Sequence, residues 1–429
     1  MDSSRRRLLL GGTALTGGWL TGCTSLAPHE TGPWLAAWGS AQLEQPAGEA
    51  PALQGMSLRQ IVQTTVAGTA VRVRISNRFG REPLRVDAAS LGPVAPGGAP
   101  DAPPQLQADS LRPLRFGGRR ELVLAAGAEA WSDPVDLALP RLAELAIQLH
   151  ITAAPAGATA HPGSRVSSWL ATGNRVDTPA WPDAVARVGW WPLAAVDVKA
   201  AHEQPVLVVI GDSITDGYGV PSGSYQRWTD DLARRLAAAG REAAVVNTGI
   251  GGNRLLRDGL GPSVMSRFER DVLARTGVTH AVLLAGVNDF GTSHRQRATT
   301  PESRQTLLNE LAASLSMLEQ RAAERGICLF VGTVMPYGGS GYYQPGPENE
   351  ADRQKLNAFI RRPGGFDGVL DFDALTRDPA RPSQLRHELD NDGLHPSMAG
   401  YQAMADAFPL GWLDRRCSVR KTVRVDNEK

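Results

Sequence analysis

The run Val206-Leu207-Val208-Val209-Ile210 is apolar without interruption. A strand with one wet face alternates apolar and polar residues. An unbroken run is the signature of a strand covered on both faces, as in a parallel sheet between layers of helices. The residues that follow agree. Trp228, Leu232, Leu236 and Ala239 recur at helical spacing, with Ser224 as candidate N-cap and Gly240 as stop. Strands and helices then alternate: strand 244–247, helix 264–274, strand 280–285, helix 301–325, strand 327–334, helix 350–361, strand 369–372 and helix 397–408. The expected fold class is α/β, a doubly wound parallel sheet over residues 205–413.

The preceding residues read differently. Residues 34–200 carry short alternating segments, at 71–76, 121–124 and 145–150, separated by turn-rich text such as Gly92-Pro93-Val94-Ala95-Pro96-Gly97-Gly98. That pattern predicts an N-terminal all-β, sandwich-like domain, with one short helical element near Leu58-Arg59-Gln60-Ile61-Val62 as the exception. Pro205 marks the boundary. Trp131, Trp169, Trp181, Trp190 and Trp191 are read as packing residues rather than a sugar platform, because aromatics dominate core burial. His150, His161 and His202 are scattered and form no constellation, although 161–164 is a candidate wall of a cleft.

Four segments carry chemistry: Gly211-Asp212-Ser213-Ile214-Thr215, Gly249-Ile250-Gly251-Gly252-Asn253, Gly286-Val287-Asn288-Asp289 and Asp392-Gly393-Leu394-His395. Each falls at a strand's C-terminal end or in the loop before the last helix, the edge at which open α/β sheets build their sites. A serine hydroxyl is a weak nucleophile and needs a base. His395 is the candidate base for Ser213, and Asp392 the carboxylate that orients it. The backbone N–H groups of Ser213 and Gly252 and the amide of Asn288 are candidate oxyanion donors, each worth about 3 kcal/mol in a transition state. Other polar residues nearby read as structural: Asp212 bonding its own turn, Asp216-Gly217 as a turn, Asn288-Asp289 as a possible helix cap, Asp371 and Asp373 as turn residues, and His387 as solvent-facing.

With these blocks in place, residues 205–413 resemble the SGNH (GDSL) hydrolase superfamily, with Ile214 where the family name has Leu. The resemblance puts the nucleophile on Ser213, the oxyanion glycine on Gly252, the oxyanion asparagine on Asn288 and the Asp-x-x-His pair on Asp392 and His395. It implies a flavodoxin-like α/β domain and a serine esterase with no metal and no cofactor. The first half is similar to the N-terminal portion of secreted bacterial two-domain members. The expected substrate is a small acyl group, such as acetyl, on a glycan or other polar alcohol. A lipase or lysophospholipase acting on membrane lipids, a non-catalytic glycan-binding envelope protein and an acyltransferase are the alternatives.

A formal net charge of +1 argues neither for nucleic acid nor for an acidic polymer as a partner, and no nucleic-acid partner is expected. Three cysteines make neither a disulfide framework nor a zinc pattern, and Cys328, inside an apolar run, reads as a buried small hydrophobe before it reads as a partner for Cys417. Residues 1–23 read as an export signal. Arg5-Arg6-Arg7 precedes a short apolar stretch ending at Leu20-Thr21-Gly22-Cys23, which resembles a lipobox with Cys23 as lipidation site. That places the expected chain in a bacterial envelope, as a periplasmic or outer-membrane lipoprotein or a secreted protein. Its only membrane partner would be an anchor at Cys23. Residues 414–429, with Arg415, Arg416, Arg420, Lys421 and Arg424, read as a solvated basic tail.

Overall fold

The computed structural model describes residues 32–46, 48–98, 102–296 and 299–419. The export signal, Cys23 and residues 420–429 lie outside the described residues. From Gly32 onward the chain forms one compact unit. No helix among the described residues is long and apolar enough to cross a membrane.

The uninterrupted run forms the strand Val206–Gly211, buried along its whole length. It pairs in parallel with Ala244–Gly249 on one side and His280–Leu284 on the other. Cys328–Gly332 and Gly368–Leu370 extend the sheet beyond His280–Leu284. In chain order the five strands are therefore arranged 2-1-3-4-5, the flavodoxin-like doubly wound arrangement, and the order reverses beside the C-terminal end of Val206–Gly211. The helices Trp228–Ala238 and Met398–Ala407 pack together, as do Pro301–Ala323 and Pro347–Ile360.

Residues before the parallel sheet build two large antiparallel sheets and a two-stranded antiparallel ribbon, Leu43–Gln45 with Ala158–Ala160. One contains Trp34–Gly39, Leu193–Lys199 and Gly68–Ser76; the other is centred on Met56–Gln63, Glu144–Ala153 and Leu84–Pro93. This β layer covers the open edge of the parallel sheet. Thr65 Oγ1 donates to Val245 O at 3.1 Å and accepts from Val245 N at 3.0 Å, so the edge strand finds polar partners there. Arg275 reaches back from the α/β half to the carbonyls of Ser40 and Ala194 at 2.9 and 3.1 Å.

Several expectations are corrected. The run 58–62 is not helical but lies in the strand Met56–Gln63, which pairs with both Glu144–Ala153 and Ser167–Thr172. Its polar residues are buried and bonded: Arg59 Nε donates to Gln148 at 2.8 Å, and Gln60 Oε1 accepts Trp191 N–H at 2.6 Å. The helix expected from Ser224 begins at Trp228, because Tyr225 adopts a left-handed φ of 51°. The helix 264–274 divides into an α-helical turn, Val264–Phe268, and a π-helical turn, Glu269–Leu273. Cys328 is not an isolated hydrophobe. It is disulfide-bonded to Cys417, with Cα atoms 5.3 Å apart. Trp412, packed on Phe330 at 4.5 Å between ring centroids, brings the chain end back to the strand Cys328–Gly332. The start of the expected basic tail is therefore docked, and Arg415 donates to the Asp367 carbonyl.

Of the tryptophans read as packing residues, Trp169, Trp181, Trp190 and Trp191 are buried, and Trp131 is half-buried beneath Arg72 and Arg74. Asp371 and Asp373 are tied to Arg361 at 2.7 and 2.6 Å, and Asp373 also to Arg353 at 2.7 Å, an ion-pair role. His387 is exposed.

Candidate active site

The strand Val206–Gly211 ends at Asp212, which caps a single helical turn, Ser213–Asp216, by accepting the Ile214 N–H at 3.0 Å. Asp212 thus bonds its own turn. Its second oxygen has no partner among the described residues, and burial pushes its carboxyl up to about 7. As the first residue of the turn, Ser213 has a backbone N–H without an intrahelical acceptor.

Ser213 Oγ lies 2.8 Å from His395 Nε2. His395 Nδ1 lies 2.9 Å from Asp392 Oδ2 and 3.1 Å from Oδ1. Asp392 also accepts the N–H groups of His395 and Leu394, at 2.8 and 3.1 Å, and so folds its own loop around the imidazole. Burial opposes its ionisation, yet these donors outweigh burial and hold the carboxyl below the ordinary range. Burial lowers the His395 pKa despite the opposing pull of Asp392, so the imidazole is neutral and basic near pH 7. Gly393 between them has φ 79°, and a Cβ there would lie 2.2 Å from Gly339 C and O. Only glycine lets the loop approach that turn. Tyr218 stacks on the imidazole with centroids 4.0 Å apart.

Gly252 occupies the turn after the strand Ala244–Gly249, at φ 70°; a Cβ there would meet Leu260 Cδ1 at 2.5 Å. Asn253 N bonds Ile250 O at 3.1 Å, closing this turn. Asn288 lies in the first turn of the helix Val287–Gln296, not as an isolated cap. Its Nδ2 donates to Asn253 O at 2.9 Å and its Oδ1 accepts from the Tyr343 hydroxyl at 2.7 Å. Those two bonds fix the orientation of the amide and leave its second N–H available. Asp289 accepts the N–H groups of Leu255 and Leu256 at 2.7 and 3.0 Å, pinning the segment beyond Gly252, and burial raises its carboxyl to about 6.

The structure therefore joins Ser213, His395 and Asp392 in one hydrogen-bonded chain, and links the Gly252 turn to Asn288 through Asn253. An array of this type can move a proton from a hydroxyl to an imidazole and present N–H groups to a developing negative oxygen. Among the described residues the one cluster of potential metal ligands is Cys328, Asp367 and Cys417, whose two sulfurs are joined as a disulfide. Sequence reasoning missed Tyr343, whose role depends on a fold-level approach to Asn288, and the bond between His161 and Asp216 at 2.8 Å. No spacing rule joins such partners.

Residues 209–403 match the model of the GDSL-like lipase/acylhydrolase family. No curated protein matches the chain. Among solved structures, the chain is similar to an acetyl xylan esterase variant from Geobacillus stearothermophilus, at 24 % identity, covering 51 % of this chain and 98 % of that one with TM-score 0.36. A lipase/acylhydrolase from Enterococcus faecalis is also similar, at 24 % identity, with 51 % and 99 % of the chains covered and TM-score 0.36. A GDSL-like lipase from Bacteroides thetaiotaomicron matches at 18 % identity over 47 % and 84 % of the chains, with TM-score 0.35. Residues 209–403, the segment that carries Ser213, Gly252, Asn288, Asp392 and His395, therefore form a GDSL-like lipase/acylhydrolase domain.

Proposed function

We propose that the protein hydrolyses carboxylic esters through a covalent acyl-serine and that it removes a small acyl group, acetyl above all, from a glycan or another polar alcohol. The observation that carries the mechanism is the continuous hydrogen-bonded chain from Ser213 Oγ through His395 to Asp392. Ser213 Oγ attacks the ester carbonyl carbon while His395 Nε2 takes its proton. The carbonyl oxygen becomes an oxyanion facing the N–H groups of Ser213 and Gly252 and the free Asn288 Nδ2–H. Collapse breaks the ester C–O bond, and His395 returns the proton to the departing alcohol. Water, deprotonated by the same imidazole, then releases the acid and regenerates Ser213.

Support for a ring-shaped polar alcohol comes from the rim. Tyr218 is 44 % exposed while stacked on His395, and Tyr342 is 61 % exposed with its ring edge-on to Tyr343 at 4.9 Å. The exposed Tyr218 ring beside the imidazole, and Tyr342 with the Arg295 guanidinium over its ring at 4.0 Å, offer an apolar surface and hydrogen-bond donors to a sugar. One observation favours the lipid reading instead: Leu260, 68 % exposed, lies against Gly252. Hydrolysis of p-nitrophenyl acetate, butyrate, octanoate and palmitate separates the two. The small-acyl reading expects turnover to fall steeply after acetate; a maximum at octanoate or longer favours the lipase. An envelope location with lipidation at Cys23 would bring either substrate within reach.

The lowered His395 pKa has a kinetic consequence. The base must be neutral, so kcat/KM rises as pH passes upward through that pKa. The rising limb of the pH–rate profile should centre below the ordinary imidazole value of about 6.5. A limb centred at or above that value would contradict the assignment of a buried His395 as base.

A further inference from the structure

His161 comes from the β layer, and Asp216 closes the helical turn that Ser213 opens. Both side chains are 4 % exposed. His161 Nε2 lies 2.8 Å from Asp216 Oδ1, and Nδ1 lies 2.8 Å from the Ala41 carbonyl oxygen. A neutral imidazole has one N–H and one lone pair. Here both ring nitrogens face oxygen acceptors, so a neutral ring would aim its lone pair at a carbonyl or a carboxylate. A doubly protonated ring, or a neutral ring accepting from a protonated Asp216, satisfies both contacts, and either keeps the two side chains bonded. The ring cannot turn aside easily. Reciprocal backbone bonds of 2.9 and 3.1 Å tie His161 to Trp190, and the imidazole stacks on the indole at 5.6 Å.

Asp216 is equally confined. Its second oxygen accepts the Gly251 N–H at 3.2 Å. A Cβ on Gly163 would lie 2.0 Å from Asp216 Oδ2, and a Cβ on Gly249 would lie 2.5 Å from Asp216 N. Arg227 Nε donates to the Asp216 carbonyl at 3.1 Å, with Asp230 as that arginine's own partner at 3.3 Å. The buried Arg267 guanidinium attracts Asp216 as well.

Gly251 directly precedes Gly252, so whatever holds the Gly251 N–H sets the orientation of the next peptide. We propose that His161 is a positioning residue supplied by the β layer: an imidazole locked between Ala41 O and Asp216, it holds that carboxyl group on Gly251 N–H and thereby fixes the Gly252 N–H toward the oxyanion. This rests on the esterase reading above. It gives the N-terminal half a part in the reaction without contact with substrate.

The test uses the full chain, steady-state hydrolysis of p-nitrophenyl acetate and ¹⁵N NMR of the histidine side chains, with His161→Gln assigning the His161 signals. Asp216→Ala removes the acceptor and is expected to lower kcat about 10- to 100-fold with KM within about threefold, as for a misplaced catalytic group. Asp216→Asn can still accept from Gly251 N–H and donate its amide N–H to a neutral His161 Nε2, so kcat should stay within about threefold of the parent. The His161 ¹⁵N signals of the parent should shift in Asp216→Ala, as for a ring nitrogen that loses its hydrogen-bond partner. His161 signals unmoved in Asp216→Ala, or an Asp216→Ala kcat within about twofold of the parent, overturns the proposal. If the parent shows no Ser213-dependent turnover, the esterase reading fails, while the spectrum still decides for or against the locked pair.

Discussion

Ser213→Ala is expected to lower kcat for p-nitrophenyl acetate by about 10⁴-fold or more, since deleting a nucleophile removes the covalent route entirely. His395→Ala should fall by a similar factor, because the hydroxyl 2.8 Å from Nε2 is inert without its base. The double variant should be little worse than either single one, as the residues act as a unit. The fold should survive: Ser213 Oγ makes its bond to His395, which does not hold the sheet together. Steady-state kinetics beside a thermal melt check both halves of this expectation. Loss of activity with an unchanged melting temperature fits a catalytic role. Equal loss of both would mean that Ser213 is structural.

Asp271→Ala should produce the largest loss of stability, about 3–5 kcal/mol, because it strands buried cations without their counter-charge. Asp271 sits in the π-helical turn with its side chain 1 % exposed. Arg270, Arg267 and Arg275 surround it at 2.8, 3.3 and 3.5 Å. Burial alone would raise its pKa, but the three guanidinium groups outweigh burial and hold the carboxyl far below the ordinary range. The sign of the pH effect follows. A depressed folded-state pKa contributes stability that is fully present above the unfolded value of about 4 and is lost as pH falls toward the folded one. Denaturant melts from pH 7 down to pH 3 should therefore show the parent losing stability that Asp271→Ala never had. The effect reaches the site. Arg267 donates to the carbonyls of Gly211 and Thr248, at 2.9 and 2.6 Å, and to Asn253 Oδ1 at 3.1 Å. It thus braces the strand ends leading to Ser213 and to the Gly252 turn.

What could be read from the sequence follows a physical divide. The strand at 206–210 was legible because burial on both faces leaves no polar position. The four chemical segments were legible because hydroxyl, imidazole, carboxylate and amide each come from few residue types, at strand ends. Element starts were less legible: Tyr225 in a left-handed conformation delays the helix beyond the candidate cap Ser224 to Trp228. Arg59 and Gln60 disguised a strand, since their buried partners, Gln148 and Trp191, lie far along the chain. Cys328 and Cys417 are separated by 89 positions, and their pairing depends on the docking of Trp412. His161 and Tyr343 show the same limit at the site, for each acts on a neighbour that only the packing of one layer on another supplies.

The most direct test of a nucleophilic Ser213 is covalent capture. The full chain is treated with a fluorophosphonate ester, digested, and mapped by tandem mass spectrometry. The mechanism predicts a single phosphonyl adduct on Ser213, absent from Ser213→Ala and strongly slowed in His395→Ala. A folded parent that takes no adduct, or takes it on another residue, would contradict the assignment of Ser213 as the attacking group.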